Sequence, residues 1–198
     1  MKTLLTLALV ALMAGSAFAQ LDNSMGMFFS DSDLTEANTN LDNGAAPFNA
    51  YIAVIQTTMF TIGAYEVGIE ISNPAVFLLS VSGPNGWTNF GSNTNHLAGF
   101  QTPLPSSAGY AVMSTIQMLY TANDLVEVRM GPSSPSSVGG AGPALADGSN
   151  PDILYVCNYT SGPDMGGLVA TLNGDGITFP GGVAAEAHSL SAVKALFN

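Results

Sequence analysis

The chain has 198 residues, and its 14 Asp and Glu side chains outnumber its 3 Lys and Arg, which gives a formal net charge of −11 at pH 7. A nucleic acid requires a basic surface, so this charge balance excludes it as an expected partner and disfavours an anionic membrane for the same reason. Cys157 is the one cysteine, so the chain cannot form an internal disulfide. Because Cys157 closes an apolar run, we predict a buried, structural thiol.

The first residues have the features of a signal peptide. Lys2 supplies the positive charge of the n-region, and residues 4–14 form an apolar run of the length of an h-region. Ala17 and Ala19 mark a small-x-small cleavage site. The apolar run is too short to span a bilayer. We therefore expect cleavage after Ala19 and a protein that is secreted, periplasmic or on the cell surface. Residues 20–198 then have the length of one domain.

The next part of the chain predicts two strands around a long polar loop. Residues 25–29 form a short apolar run, and residues 51–56 form a continuous one of strand length. Residues 31–49, between them, are rich in Asp, Asn, Thr and Gly and have no periodicity. This composition is typical of a loop.

Residues 64–81 contain the clearest strand pattern. Apolar side chains alternate with Glu66 and Glu70, which predicts a strand with one buried face and one face exposed to solvent. An Asn-Pro pair then ends the strand, because proline cannot donate a hydrogen bond to a sheet. The following run, residues 76–81, is apolar on both faces, and we interpret it as a second core strand.

Trp87 is the one tryptophan, and it follows a cluster of turn residues at 83–86. An exposed tryptophan at such a position can stack on a sugar ring, with its apolar body against the apolar face of the sugar. The commoner arrangement is a tryptophan that folds back and fills the core. The sequence leaves both interpretations open.

The rest of the chain consists of short runs separated by turns. We predict a second long loop over residues 131–150 and a helix with an apolar stripe over residues 188–197. Strands and helices do not alternate, which favours an all-β fold, an antiparallel β-sandwich with a short C-terminal helix. The remaining predicted strands are residues 97–100, before the strand-breaking Pro103 and Pro105, and residues 110–120, 125–130, 153–157, 168–172 and 177–179.

Few residues suggest chemistry. The two histidines, His96 and His188, lie in a polar loop and at the start of the predicted helix, and we interpret both as surface or capping residues. There is no Gly-x-Ser-x-Gly motif and no set of closely spaced zinc ligands. We therefore predict no catalytic residue, no metal ligand and no cofactor.

Calcium is the one ion that the composition leaves open. Carboxylate and amide side chains cluster around residues 31–42, 147–152 and 173–175, and oxygen is the ligand that calcium prefers. The alternative is that these side chains cap their own turns.

Residues 63–71 (GAYEVGIEI) and 73–81 (NPAVFLLSV) together resemble the early strands of cohesin-like domains. The resemblance implies a jelly-roll-like β-sandwich of the kind found in secreted bacterial proteins, where it serves in protein–protein attachment and is related to carbohydrate-binding modules. It implies no particular functional residue in this chain.

The sequence therefore predicts an exported β-sandwich protein that is not an enzyme. We expect a structural, adhesive or protein-interaction module of the cell exterior, with a protein or polysaccharide partner. The alternative is a carbohydrate-binding module that uses loop aromatics such as Trp87.

Overall fold

The computed structural model describes residues 22–32, 34, 40–41, 46–106 and 109–174. Within these ranges the chain forms thirteen strands and one short 3-10 helix, Pro163–Met165. The signal peptide predicted at residues 1–19, the strand at 177–179 and the helix at 188–197 lie outside the described residues. The strands are β1 (Ser24–Phe28), β2 (Asn40–Leu41), β3 (Phe48–Ile55), β4 (Thr61–Ile71), β5 (Phe77–Ser82), β6 (Thr88–Asn89), β7 (Asn95–Pro105), β8 (Ala111–Leu119), β9 (Val126–Gly131), β10 (Ala144–Asp147), β11 (Leu154–Val156), β12 (Asn158–Tyr159) and β13 (Leu168–Leu172).

The strands form two sheets. The small sheet has the order β12-β1-β3-β8-β5, and the large sheet has the order β11-β10-β4-β9-β13-β2 with β7 and β6 attached through β4. All pairs are antiparallel except β1 with β12 and β13 with β2. This arrangement confirms the predicted antiparallel-rich β-sandwich.

The core lies between the sheets because the longer strands each turn an apolar face inward. In β4 the inward side chains Tyr65, Val67 and Ile69 are buried, as the alternation predicts. They belong to one hydrophobic cluster with side chains of the small sheet such as Ile52 and Ile116. The largest fully buried side chains include Tyr120, Met25, Met27, Ile62, Met113, Met118, Leu145 and Leu172.

Strand β4 is the most connected strand of the large sheet. It pairs with β7 over residues 61–68, with β10 over residues 62–66 and with β9 over residues 68–71. The first strand predicted within residues 64–81 is therefore confirmed as β4, and its register positions three other strands.

The prediction for residues 76–81 is wrong in one respect. These residues do form a strand, β5, but it lies at the edge of the small sheet and pairs with β8. Phe77 is 60% exposed and Leu79 is 48% exposed. An apolar run is typical of a strand covered on both faces, whereas here the other sheet covers only one face.

Three further boundaries differ from the prediction. The expected loop at 131–150 contains β10, which pairs with β4. Pro103 and Pro105 do not break the preceding strand, since β7 continues to Pro105, beside a register shift in β4. Residues 153–157 are predicted as one strand, but the chain changes sheets there, with β11 in the large sheet and β12 in the small one.

The predicted strands at 25–29, 51–56, 110–120, 125–130 and 168–172 are confirmed as β1, β3, β8, β9 and β13.

Part of the outer face of the small sheet is also covered. Phe28, Ala53 and Ile55 form a second buried cluster with Leu34 from the segment that follows β1.

The part of the chain that the structure describes contains no helix that could span a membrane.

The position of Cys157 gives a test of the packing. The thiol is 5% exposed, and burial raises its pKa to about 12, so the reactive thiolate is scarce at neutral pH. We expect iodoacetamide at about pH 8 to leave Cys157 unmodified in the native protein and to label it fully in denaturing urea. Mass spectrometry measures the difference. Rapid labelling of the native protein would contradict this packing.

Candidate binding groove and the polar cluster beneath it

Strand β4 presents different chemistry on its two faces. Successive side chains of a strand point to opposite sides of the sheet, so Tyr65 faces the core while Ala64 and Glu66 face outward. The inward side holds a polar cluster, and the outward side forms the floor of a groove.

The polar cluster is centred on the Tyr65 hydroxyl. This oxygen lies 2.8 Å from Ser114 Oγ, 3.0 Å from His96 Nδ1 and 3.1 Å from Trp87 Nε1. Tyr65 is 3% exposed, and His96 and Ser114 are fully buried. The cluster therefore connects β4 and β7 of the large sheet with β8 of the small sheet and with the turn that carries Trp87.

The proton positions follow from the partners. His96 Nε2 lies 3.1 Å from the Asn93 carbonyl oxygen, which can only accept, so Nε2 carries a proton. Burial lowers the pKa of His96, so the ring is neutral and Nδ1 is an acceptor. Tyr65 has one proton for two acceptors, and when it donates to His96 the Ser114 hydroxyl can donate in return. Every member of the cluster thus has a partner.

The prediction of His96 as a surface or capping residue is wrong. Asn93 and Thr94 form a turn, but His96 is the first inward position of β7, and Ala98 and Phe100 follow it on the same face. The alternation over 96–100 is the signal that identifies this buried position. His188 lies outside the described residues.

Trp87 is half-buried and packs against the core. Its indole N–H donates to Tyr65, and its ring lies edge-on to His96 with centroids 6.0 Å apart. A side chain at Gly83 would overlap the Trp87 ring. This geometry supports the interpretation in which Trp87 folds back and fills part of the core.

The groove on the outer face has a floor of small side chains. In the strand register Gly99 of β7 lies beside Ala64 of β4, which lies beside Ala146 of β10. Leu154 of β11 pairs with Ala146 and ends the row. Because glycine and alanine fill little space above the sheet, the row forms a depression with a volume of about 250 Å³.

Apolar side chains flank this floor. Phe90 is 81% exposed, and its backbone N–H donates to the Leu97 carbonyl at 3.0 Å. Leu154, on the opposite side, is 44% exposed. We call this depression the outer groove, and its lining includes Ala64, Glu66, Phe90, Leu97, Gly99, Ser137, Ala144, Ala146 and Leu154.

Glu66 is not on a solvated face, which corrects the prediction. It is 7% exposed, and its carboxylate accepts hydrogen bonds from the Ser137 N–H at 2.9 and 3.1 Å and from Ser136 Oγ at 3.2 Å. The segment after β9 supplies these donors and covers this part of β4. Glu70, beyond that cover, is exposed as predicted. The buried carboxylate thus holds a wall of the outer groove in place.

The calcium expectation stays a prediction. Among the residues that the structure describes, no group of three or more His, Cys, Asp or Glu side chains could hold a metal ion. At one of the expected positions, Asp147 accepts hydrogen bonds from the Ser149 N–H at 2.8 Å and the Ser149 hydroxyl at 2.6 Å. These bonds lower the pKa of Asp147 and correspond to the alternative, a side chain that caps its own turn.

Comparisons with known proteins give structural neighbours only. No family model and no curated protein matches the chain. The structural neighbours include the sixth cohesin of Acetivibrio cellulolyticus scaffoldin B, solved in complex with a Cel5 dockerin (6% identity, TM-score 0.49, 77% of this chain and 98% of that one). A second neighbour is a cohesin module from a Clostridium perfringens family 33 glycoside hydrolase (8% identity, TM-score 0.44, 68% of this chain and 90% of that one). A third is the third cohesin ScaC of A. cellulolyticus, in complex with the ScaB dockerin (13% identity, TM-score 0.39, 66% of this chain and 89% of that one). These neighbours are from the family that residues 63–81 resemble. Likeness of this extent transfers no residue, partner or activity to this chain.

The buried histidine predicts a pH dependence of stability. Because the pKa of His96 is lower in the folded state than in the unfolded state, the unfolded chain binds more protons as the pH falls below about 6.5. Stability should therefore be full above that pH and should fall by up to about 1.4 kcal/mol per pH unit below it. Urea unfolding at about pH 7.5 and about pH 5.5 measures the change.

Two variants isolate the source of this effect. His96→Gln removes the titrating group, so it should abolish the difference between the two pH values, and His188→Gln should preserve it. A wild-type protein that is equally stable at both pH values would show that His96 is not held neutral by burial.

Proposed function

We propose that the protein is an exported, non-catalytic β-sandwich that binds another protein through the outer groove. In this role it is a structural, adhesive or protein-interaction module of the cell exterior. The observation that carries the proposal is the exposure of Phe90 and Leu154 on either side of a floor of small residues.

Exposed apolar side chains around a concave floor are a feature of interaction sites. The volume of about 250 Å³ is below the usual range for a drug-sized ligand, roughly 300 to 1,000 Å³. It is suited to one or two apolar side chains of a partner protein. The hydrogen bonds of Glu66 to Ser136 and Ser137 keep the groove open before a partner arrives, which lowers the cost of ordering it on binding.

The burial of the polar cluster supports a non-catalytic role. Tyr65, His96 and Ser114 are residue types that enzymes use, and they lie within hydrogen-bonding distance of one another. They are enclosed between the sheets, however, and their hydrogen bonds are made to one another, to Trp87 and to the backbone of Asn93. In this structure a substrate has no direct access to them.

Residues 1–19 support export, and the net charge of −11 favours a protein or polysaccharide partner over a nucleic acid. No observation favours the carbohydrate-binding alternative, because the Trp87 indole is engaged inside the fold with Tyr65. We therefore favour a protein partner over a polysaccharide.

Selection from a random-peptide phage library on the immobilised protein tests the groove. We expect peptides with apolar residues, whose affinity falls roughly 10-fold to 100-fold in Phe90→Asp and in Leu154→Asp, because each buried apolar side chain contributes about 1.5 to 3 kcal/mol. Isothermal titration calorimetry gives the affinities.

Phe60→Asp is the matched control. Phe60 is 91% exposed but does not line the outer groove, so this variant should bind as the wild type does. Failure to select any peptide, or peptides whose affinity is the same for Phe90→Asp and the wild type, would contradict the proposed site.

A further inference from the structure

The small sheet is free of charge along its entire width. None of its strands, β1, β3, β5, β8 and β12, contains Asp, Glu, Lys or Arg. Between Glu70 and Asp124 the sequence has no charged side chain at all, although the chain carries a net charge of −11. The charged residues of the described strands, such as Glu70, Glu127 and Arg129, lie in the large sheet.

Strand β5 forms an open edge of this uncharged sheet. It pairs with β8 from Phe77 opposite Leu119 to Ser82 opposite Thr115, and no other strand in the described ranges pairs with it. Proteins usually guard such edges with charged residues or proline. In β5 the one protective feature is the register shift between Leu78 and Ser80, and the strand presents two exposed apolar side chains, Phe77 and Leu79.

The register shift makes the strand symmetric about its centre. From Phe77 to Ser82 the side chains are exposed, half-buried, exposed, exposed, half-buried and exposed. If two copies of β5 lie antiparallel about a two-fold axis between Leu79 and Ser80, Leu78 faces Val81 of the other copy and both point to the core. Phe77 then faces Ser82 on the exposed side. An isologous interface requires this self-complementarity.

We propose that β5 is a self-association edge, at which β5 of a second copy of the chain pairs antiparallel and joins two small sheets into one continuous sheet. Charge favours this surface over the rest of the molecule. Two copies that each carry a charge of −11 repel one another, and this edge brings them together without placing carboxylates opposite each other. The pairing satisfies the backbone groups of the open edge and reduces the exposure of Phe77 and Leu79.

The expected dimer is weak. One pair of six-residue strands buries less area than the roughly 1,200 to 2,000 Å² of a stable interface. The association should therefore depend on protein concentration and should strengthen with salt, because added salt screens the repulsion between the two acidic bodies.

Sedimentation velocity over low-micromolar to near-millimolar concentrations tests the proposal. The wild-type protein should pass from monomer to dimer. Leu79→Lys and Ser80→Lys each place lysines close together across the two-fold axis, and each should weaken the dimer at least tenfold. Leu125→Lys is the matched control, since Leu125 is 54% exposed and lies outside β5, and it should dimerise as the wild type does.

Two results would overturn the proposal. One is a wild-type protein that stays monomeric at every concentration, as it would if another part of the chain occupied the edge. The other is a dimer that neither lysine variant weakens. The outcome is separate from that for the outer groove, because Phe90→Asp should leave dimerisation unchanged and Leu79→Lys should leave peptide binding unchanged.

Discussion

The hydroxyl of Tyr65 is the constraint on which the architecture depends. It joins β4 to β7 through His96, the large sheet to the small sheet through Ser114, and the turn after β5 to the core through Trp87. A buried polar group that loses its partner costs about 1 to 3 kcal/mol, so the four groups favour one registration of the sheets. The same strand positions that place Tyr65 inward place Ala64 outward beside Gly99 and Ala146. The core cluster and the floor of the outer groove are therefore two consequences of one register.

The two sheets offer different surfaces to the surroundings. The large sheet carries the outer groove, with apolar flanks and a wall held by the buried carboxylate of Glu66. In the described part of the chain, the strands of the small sheet carry no charge, and the sheet ends in β5, whose outer edge is unpaired. The proposed partner groove and the proposed self-association edge lie on different sheets, so one copy of this acidic protein could use both at the same time. Such a division suits a module that connects other components.

Side-chain periodicity in the sequence was sufficient to predict the sandwich and most of its central strands. In β4, β8 and β9 the alternation of residue types is visible in adjacent positions of the sequence, so the burial of one face can be predicted locally. Three positions required information from distant residues. Glu66 is covered by Ser136 and Ser137, some seventy positions away along the chain. His96 follows three polar residues; the alternation over residues 96–100 marks it as an inward position, but its burial depends on the pairing of β7 with β4 and on the contact with Tyr65. Residues 76–81 have the composition of a central strand, and only the strand order shows that β5 lies at an edge. The outer groove combines side chains from four strands, so no single stretch of sequence reveals it.

The most direct test of this account is a double-mutant cycle between Tyr65 and Ser114, measured by urea unfolding of the wild type, Tyr65→Phe, Ser114→Ala and the double variant. The two hydroxyls lie 2.8 Å apart and belong to different sheets. We predict that each single variant is destabilised by about 1 to 3 kcal/mol and that the double variant is more stable than the sum of the two losses implies, by at least about 0.5 kcal/mol. Single losses close to zero, or losses that simply add, would contradict the claim that this hydroxyl couples the two sheets.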